Sequence, residues 1–205
     1  MDTREKILKN AKDLFMKKGY GAVNMELIAG SSGLSRRTLY RYFKSREQLA
    51  FLVVINILSD FNSFYTELFT KLEGNGITRL ESFLHEIISH IGKNLDVMKF
   101  FGEFDFTFDD KNEKEPDSRI MNQFYNVSLR PEKIIGEIIT SGIDDGSIDD
   151  TINADLTVAT ITNVLWSFGQ RIAIRSEHIK NEVHIDAFDL IRHQAALYIK
   201  ALKKG

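Results

Sequence analysis

Arg36, Arg37, Thr38, Tyr40, Arg41 and Tyr42 stand within seven residues of one another. Guanidinium groups pair with guanine edges and with phosphates, and the Thr and Tyr hydroxyls, like Arg41, suit phosphate oxygens. On a helix, Leu39 and Phe43, four apart, would turn inward and leave the basic, hydroxyl-rich stripe facing out. An ordinary solvated helix with a buried apolar pair would have the same composition. The neighbouring elements must decide between the two.

Those neighbours supply a positioning frame. Thr3–Lys18 carries Ile7, Leu8, Ala11, Leu14 and Phe15 at helical spacing, with Lys17 and Lys18 at its C-terminal end and Gly19 as a stop. Asn24 is placed to cap a short helix from Met25 to about Ser32. Gly33 supplies a turn with Leu34 tucked beneath it, and Ser35 caps a second short helix from Arg36 to Phe43. Ser45 with Gln48 fits a capping box opening a long apolar helix. Two short helices joined by a glycine turn are the helix-turn-helix arrangement.

Charge distribution points the same way. Residues 1–50 hold 11 Lys/Arg against 5 Asp/Glu, a net of +6, while the rest of the chain holds 16 against 24, a net of −8. A basic head on an acidic body suits a polyanionic partner for the head alone.

The run Arg4 to Leu49 resembles the DNA-binding head of the tetracycline-repressor (TetR) family of transcriptional regulators. The matching residues are Ile7-Leu8, Ala11, Leu14-Phe15, Gly19-Tyr20, Ile28-Ala29, Gly33-Leu34-Ser35, Thr38-Leu39-Tyr40, Tyr42-Phe43, and Glu47 with Leu49. The resemblance implies an all-α protein. A helix-turn-helix DNA-binding domain would occupy residues 1–46, and a helical ligand-binding and dimerisation domain residues 47–205. It also implies a cytoplasmic homodimer that binds a double-stranded, palindromic DNA operator and is released by a small-molecule effector. The family's DNA contacts map onto Asn24, Ser35, Arg36, Arg37, Thr38, Tyr40, Tyr42, Lys44 and Arg46. The chain departs from the family pattern at Leu27, Gly30, Ser32, Arg37 and Arg46. Gly30, inside the first motif helix, should weaken it by roughly 1 kcal/mol relative to alanine.

In the body, helical patterns run from 45 to about 72, then over 77–95, 117–143, 154–176 and 185–203, with Pro131 kinking or dividing the third of these five. No strand pattern is evident. The charged run Asp109–Asp117 reads as a loop, and Asp144-Asp145-Gly146 with Asp149-Asp150 as a turn and helix cap, its spacing being wrong for calcium. Ile161, Leu165, Phe168 and Ile172, then Phe188, Ile191, Ala195, Tyr198 and Leu202, form two apolar stripes. Such stripes are ordinarily core. The resemblance assigns Ile161, Leu165, Phe168, Phe188, Ile191, Ala195 and Tyr198 to a dimer interface. Residues 98–108 are dense in Met and Phe. Phe101, Phe104 and Phe108, with Phe124, Tyr125 and Trp166, are candidates to line an apolar effector pocket, or else they fill the core.

The absence of cysteine removes disulfides, thiolate metal sites and cysteine nucleophiles. The charged N-terminus does not read as a secretory signal, and no uninterrupted apolar run approaches the ~20 residues of a membrane helix. No cofactor, metal or membrane partner is expected; Glu86 and His90, a histidine–carboxylate pair at helical-turn spacing, are too few to make a metal site. No nucleophile–base pair or cofactor loop supports an enzyme. Three readings stay open: a regulator released by a small molecule, a dimeric DNA-binding regulator controlled by a protein partner, and an all-helical enzyme whose head only resembles the motif.

Overall fold

The structure, a computed structural model, describes residues 2–108 and 116–205. The first seven residues of the Asp109–Asp117 run lie outside the described residues. Ten helices and no named strand occur among the described residues: α1 Thr3–Lys18, α2 Met25–Ser31, α3 Arg36–Tyr42, α4 Arg46–Thr70, α5 Gly76–Lys93, α6 Leu95–Thr107, α7 Ser118–Ser128, α8 Arg130–Asp144, α9 Ala154–Val183 and α10 Ala187–Leu202. The protein is therefore all-α, with a helix-turn-helix at its N-terminal end.

Two compact units share these helices. One comprises Met1–Asp60 with Lys99–Ser128, the other Phe61–Met98 with Leu129–Gly205. This packing division differs from the expected boundary at 46/47, because α4 as far as Asp60, α6 from Lys99 onward and all of α7 fall in the unit that holds α1–α3.

The first unit is built on α1, whose N-terminus is closed by a capping box between Asp2 and Glu5. Its buried residues Ile7, Leu8, Ala11 and Phe15 recur at helical spacing, and Gly19 ends it at φ +77°. α4 follows Ser45, whose Oγ accepts the Gln48 N–H at 3.1 Å. The reciprocal bond of the capping box falls on Lys44, whose N–H donates to Gln48 Oε1 at 2.7 Å. Among the described residues α4 is the one helix long and apolar enough to cross a membrane, although Asn56, Ser59 and Asp60 interrupt its apolar run. More than half of its apolar window is buried within the chain, as in a core helix.

α6 is absent from the sequence expectation. Its residues Leu95–Thr107 hold apolar side chains on several faces, so no helical stripe stands out. Pro131 divides the expected 117–143 helix: α7 stops at Ser128, and the proline occupies the first turn of α8, where it needs no donor.

In the second unit α5 packs against α8, α9 and α10. The α5–α8 crossing is close: a Cβ on Gly76 would lie 2.1 Å from the Gly142 Cα. Asp145 ties this crossing, its Oδ2 accepting the Gly76 N–H at 2.7 Å and its Oδ1 the Ser147 N–H at 2.9 Å. Hydrogen bonds from Ser147 and from Gly76 hold its carboxyl below the ordinary aspartate range. Asp149 Oδ1 accepts the Thr151 N–H at 2.8 Å. The aspartate cluster thus acts as turn and cap. α9 runs seven residues past its expected end, beyond a non-helical Arg175 (φ −133°) whose guanidinium meets Glu182 at 2.8 Å.

Candidate nucleic-acid interface

The turn between α2 and α3 is fixed by short-range bonds. Asn24 Oδ1 accepts the Leu27 N–H at 2.8 Å, capping α2. Gly33 adopts φ +69°, a conformation favouring glycine, and the Leu34 N–H returns to Ala29 O at 2.9 Å. Ser32, where the family carries alanine, is almost wholly buried and accepts from Asn10 Nδ2 at 3.2 Å. Its hydroxyl stitches α1 to the turn, which accounts for that departure. Ser35 Oγ accepts the Thr38 N–H at 3.1 Å and lies 2.9 Å from Thr38 Oγ1, capping α3.

α3 is amphipathic as its sequence requires. Leu39 and Phe43 are buried at 0% and 1% exposure. On the opposite side Arg36, Arg37, Tyr40 and Arg41 are exposed as one stripe, with Thr38 and Tyr42 half-buried at its flanks. Arg36 lies over the Tyr40 ring at 5.7 Å and Arg41 over Tyr42 at 5.5 Å. Among the described residues no ion pair engages Arg36, Arg37, Arg41 or Lys44. Their charge is uncommitted. Asn24, Ser35 and Lys44 are exposed at the ends of the same two helices.

Arg46 differs from the other candidates. Its guanidinium stacks 4.2 Å above the Tyr20 ring, and Nη1 donates to Val23 O at 3.1 Å. The side chain is only 28% exposed. It clips the α1–α2 turn rather than standing free for a phosphate.

The aromatic candidates in the first unit form one cluster. The Phe51 ring, which the sequence reading leaves out, meets Phe104, Phe108 and Phe124 edge-on at 4.8, 4.9 and 5.5 Å. Phe101 is buried as well. Tyr125 touches Phe124 at 5.7 Å yet is 55% exposed. Trp166, half-buried, belongs to the second unit.

The dimer candidates sort by burial. Ile161, Leu165, Ile191 and Ala195 are closed off inside the second unit of a single chain, and the Phe188 ring lies against Gly92 of α5. Phe168 and Tyr198 are half-buried. The stripes chosen from periodicity are thus mainly the protomer's own core. The exposed apolar residues of the same helices are Leu156, Ile174, Val183 and Leu197.

His90 and Glu86 show no metal arrangement. Among the described residues no group of three metal-ligating side chains gathers, and His90 sits between the Phe64 face at 4.2 Å and the Phe61 ring at 4.5 Å.

From the sequence, Glu103, like Asp105, reads as facing solvent or else suiting a cationic ligand, and Tyr20 has no structural part; the structure gives Glu103 a backbone partner instead. The Tyr20 N–H donates to Glu103 Oε2 at 2.6 Å across 83 residues. No spacing rule spans that separation. The hint was a pair of acidic residues, Glu103 and Asp105, inside an aromatic run.

Comparison with known proteins gives the same reading. Residues 7–53 match the family model described as "Bacterial regulatory proteins, tetR family". The HTH-type transcriptional regulator QacR of Staphylococcus aureus is 44% identical over 57 residues, 28% of this chain and 30% of QacR. The transposon Tn10 TetC protein of Escherichia coli is 30% identical over 108 residues, 49% of this chain and 53% of TetC. The matched stretches therefore span about a third and about half of these curated relatives. Among solved structures, a TetR/AcrR-family transcriptional regulator of Thermobifida fusca superposes with a TM-score of 0.69 at 20% identity over all of both chains. The Thermus thermophilus FadR, a TetR-family repressor solved with lauroyl-CoA, gives 0.65 at 15% identity over 98% of this chain and 96% of that one. By sequence in its first quarter and by fold along its whole length, the chain resembles the TetR family of transcriptional regulators.

Proposed function

We propose that this chain is a dimeric, cytoplasmic transcriptional regulator, a repressor that grips a palindromic double-stranded operator with α3. The observation that carries the reading is the exposed Arg36–Arg37–Tyr40–Arg41 stripe on a helix anchored by fully buried Leu39. Arg36 and Arg37 occupy its first turn, the part that enters the major groove in this motif. Asn24, Ser35, Thr38, Tyr40, Tyr42 and Lys44 are assigned to the phosphate backbone around it. Arg46 is assigned to holding the α1–α2 turn. Two such helices, one per protomer, would meet two half-sites related by the dimer axis. The test is selection of bound sequences from random duplex DNA, followed by affinity measurements over a salt series. A palindromic consensus whose affinity falls steeply with salt is expected. Failure to enrich any sequence, or an affinity indifferent to salt, would sink the reading.

Release by a small apolar effector is supported by the Phe51, Phe104, Phe108 and Phe124 cluster and by the acyl-CoA held by a protein of the same fold. The rings also pack against one another, Phe104 and Phe108 at 4.8 Å, as a filled core does. That favours a second reading, control by a protein partner. A thermal-shift screen that includes lauroyl-CoA separates them: an effector binding the folded state raises the melting temperature and loosens the operator complex.

A further inference from the structure

We propose that Glu103 is a positioning residue of the DNA-binding head, holding the α1–α2 turn in the geometry that α2 and α3 need to engage DNA. The proposal rests on the reading of α3 as the DNA-contacting helix. Glu103 lies on the part of α6 from Lys99 onward, which shares one compact unit with α1–α3. Its Oε2 accepts the Tyr20 N–H at 2.6 Å, short as a charge-assisted bond should be.

Gly19 makes that approach possible. A Cβ there would stand 2.8 and 2.9 Å from the two carboxylate oxygens, and the residue has φ +77°. Electrostatics alone would not bring a carboxylate to this place, because the C-terminal end of α1 carries negative partial charge. Lys17 and Lys18 in the last turn offset it, as does Arg46 over the Tyr20 ring. The bond instead satisfies the part-buried Tyr20 N–H, which lies past the C-cap of α1 and outside its hydrogen-bond ladder.

Aromatic contacts fix the same junction. Phe15 of α1 stacks on Phe100 of α6 at 5.4 Å, and Tyr20 meets Phe108 at 5.5 Å. From Tyr20 the geometry passes directly to the motif. The Val23 N–H donates to Tyr20 O at 3.3 Å, Val23 is fully buried, and the next residue is Asn24, the cap of α2. Glu103 thus sets where α2 begins without approaching DNA itself.

The test uses the full chain and the duplex that the wild type selects from a random pool. Operator affinity, thermal unfolding and exchange of the Tyr20 amide are measured for Glu103→Ala and Glu103→Gln, well below the melting temperature. Glu103→Ala is expected to bind about tenfold more weakly while folded, with faster Tyr20 exchange. Glu103→Gln keeps an acceptor at the same reach and should bind within about threefold of wild type. A folded Glu103→Ala protein with wild-type affinity overturns the proposal. So does a Glu103→Gln protein as weak as Glu103→Ala with wild-type Tyr20 exchange. If Glu103→Ala does not fold, the decision passes to Glu103→Asp, one methylene too short to reach, and wild-type affinity there overturns it. A wild type that selects no duplex brings down the DNA-binding reading itself, an outcome distinct from variants that bind like wild type.

Discussion

The guanidinium carbon of Arg46 lies 4.2 Å from the centre of the Tyr20 ring while Nη1 of the same group reaches Val23 O. One cation thereby closes the α1–α2 turn through the Tyr20 ring and the Val23 carbonyl, while Glu103 holds the Tyr20 N–H. Tyr20 is held tightly enough that burial pushes its hydroxyl pKa up to about 12, against the lowering influence of Arg46.

Arg46→Ala should therefore act on stability first. Loss of a half-buried stacked cation and its backbone bond should cost about 1–2 kcal/mol in denaturant unfolding. The salt dependence of operator affinity should stay as in wild type, since no phosphate contact is removed. A slope reduced by about one unit would instead mean that Arg46 swings out to a phosphate in the complex.

The contrast between Arg46 and Arg36 shows where sequence reading reached and where it stopped. Caps, turn glycine and buried Leu39 are local: each depends on partners within five residues, and all were legible. Gly30 stays unexplained by contacts, since a Cβ there would meet nothing within 4 Å. Arg46, Glu103 and Phe51 owe their roles to partners 23 to 83 residues away, which periodicity cannot supply. The α9 and α10 stripes were located correctly as apolar, but a stripe does not say whether the protomer or its copy covers it.

His90 gives a prediction in pH. Its Nε2 is buried with no hydrogen-bond partner, and its ring is stacked on Phe64 with Phe61 edge-on. Burial, and secondarily the charge of Lys93, lower its pKa from the ordinary 6.5. The unfolded chain then takes up this proton near pH 6.5 while the folded chain resists it. Stability is therefore full above that pH and declines as pH falls through the interval below it. His90→Phe should flatten this part of the melting-temperature profile. An unchanged slope between neutral and mildly acidic pH would exclude His90 as its source.

Burial separates two sets of substitutions on α9 and α10. Ile191 is 0% exposed, so Ile191→Asp places an unpaired charge in the core and should unfold the chain, at a cost of several kcal/mol. Leu197 and Ile174 are 46% and 53% exposed. Leu197→Glu and Ile174→Glu should leave the melt of the chain within about 1 kcal/mol at the protomer level and convert dimer to monomer in sedimentation. If both charged variants remain dimeric, the interface lies off these helices. If Ile191→Asp gives folded monomers, its site opens on a partner after all.

The roles within α3 follow from exposure and reach. Tyr40 is 42% exposed and Thr38 half-buried with its hydroxyl on Ser35. Both suit phosphate, so Tyr40→Phe and Thr38→Ala should weaken binding by similar factors on every duplex. Thr38→Ala should also loosen α3, because the cap loses its partner hydroxyl. Arg36 and Arg37 are exposed in the first turn and uncommitted to any ion pair among the described residues. At least one should read a guanine. Its replacement by alanine should cost roughly 1–3 kcal/mol on the selected operator and relax preference at one symmetric pair of positions. Arg36 already leans over the Tyr40 ring at 5.7 Å. That contact pre-orders its guanidinium, so Tyr40→Phe should leave its base preference intact while Tyr40→Ala should blur it. The measurement is an affinity series over single-base operator variants for each protein. If both arginine variants lose affinity evenly, with base preference unchanged, specificity comes from DNA shape or from other residues.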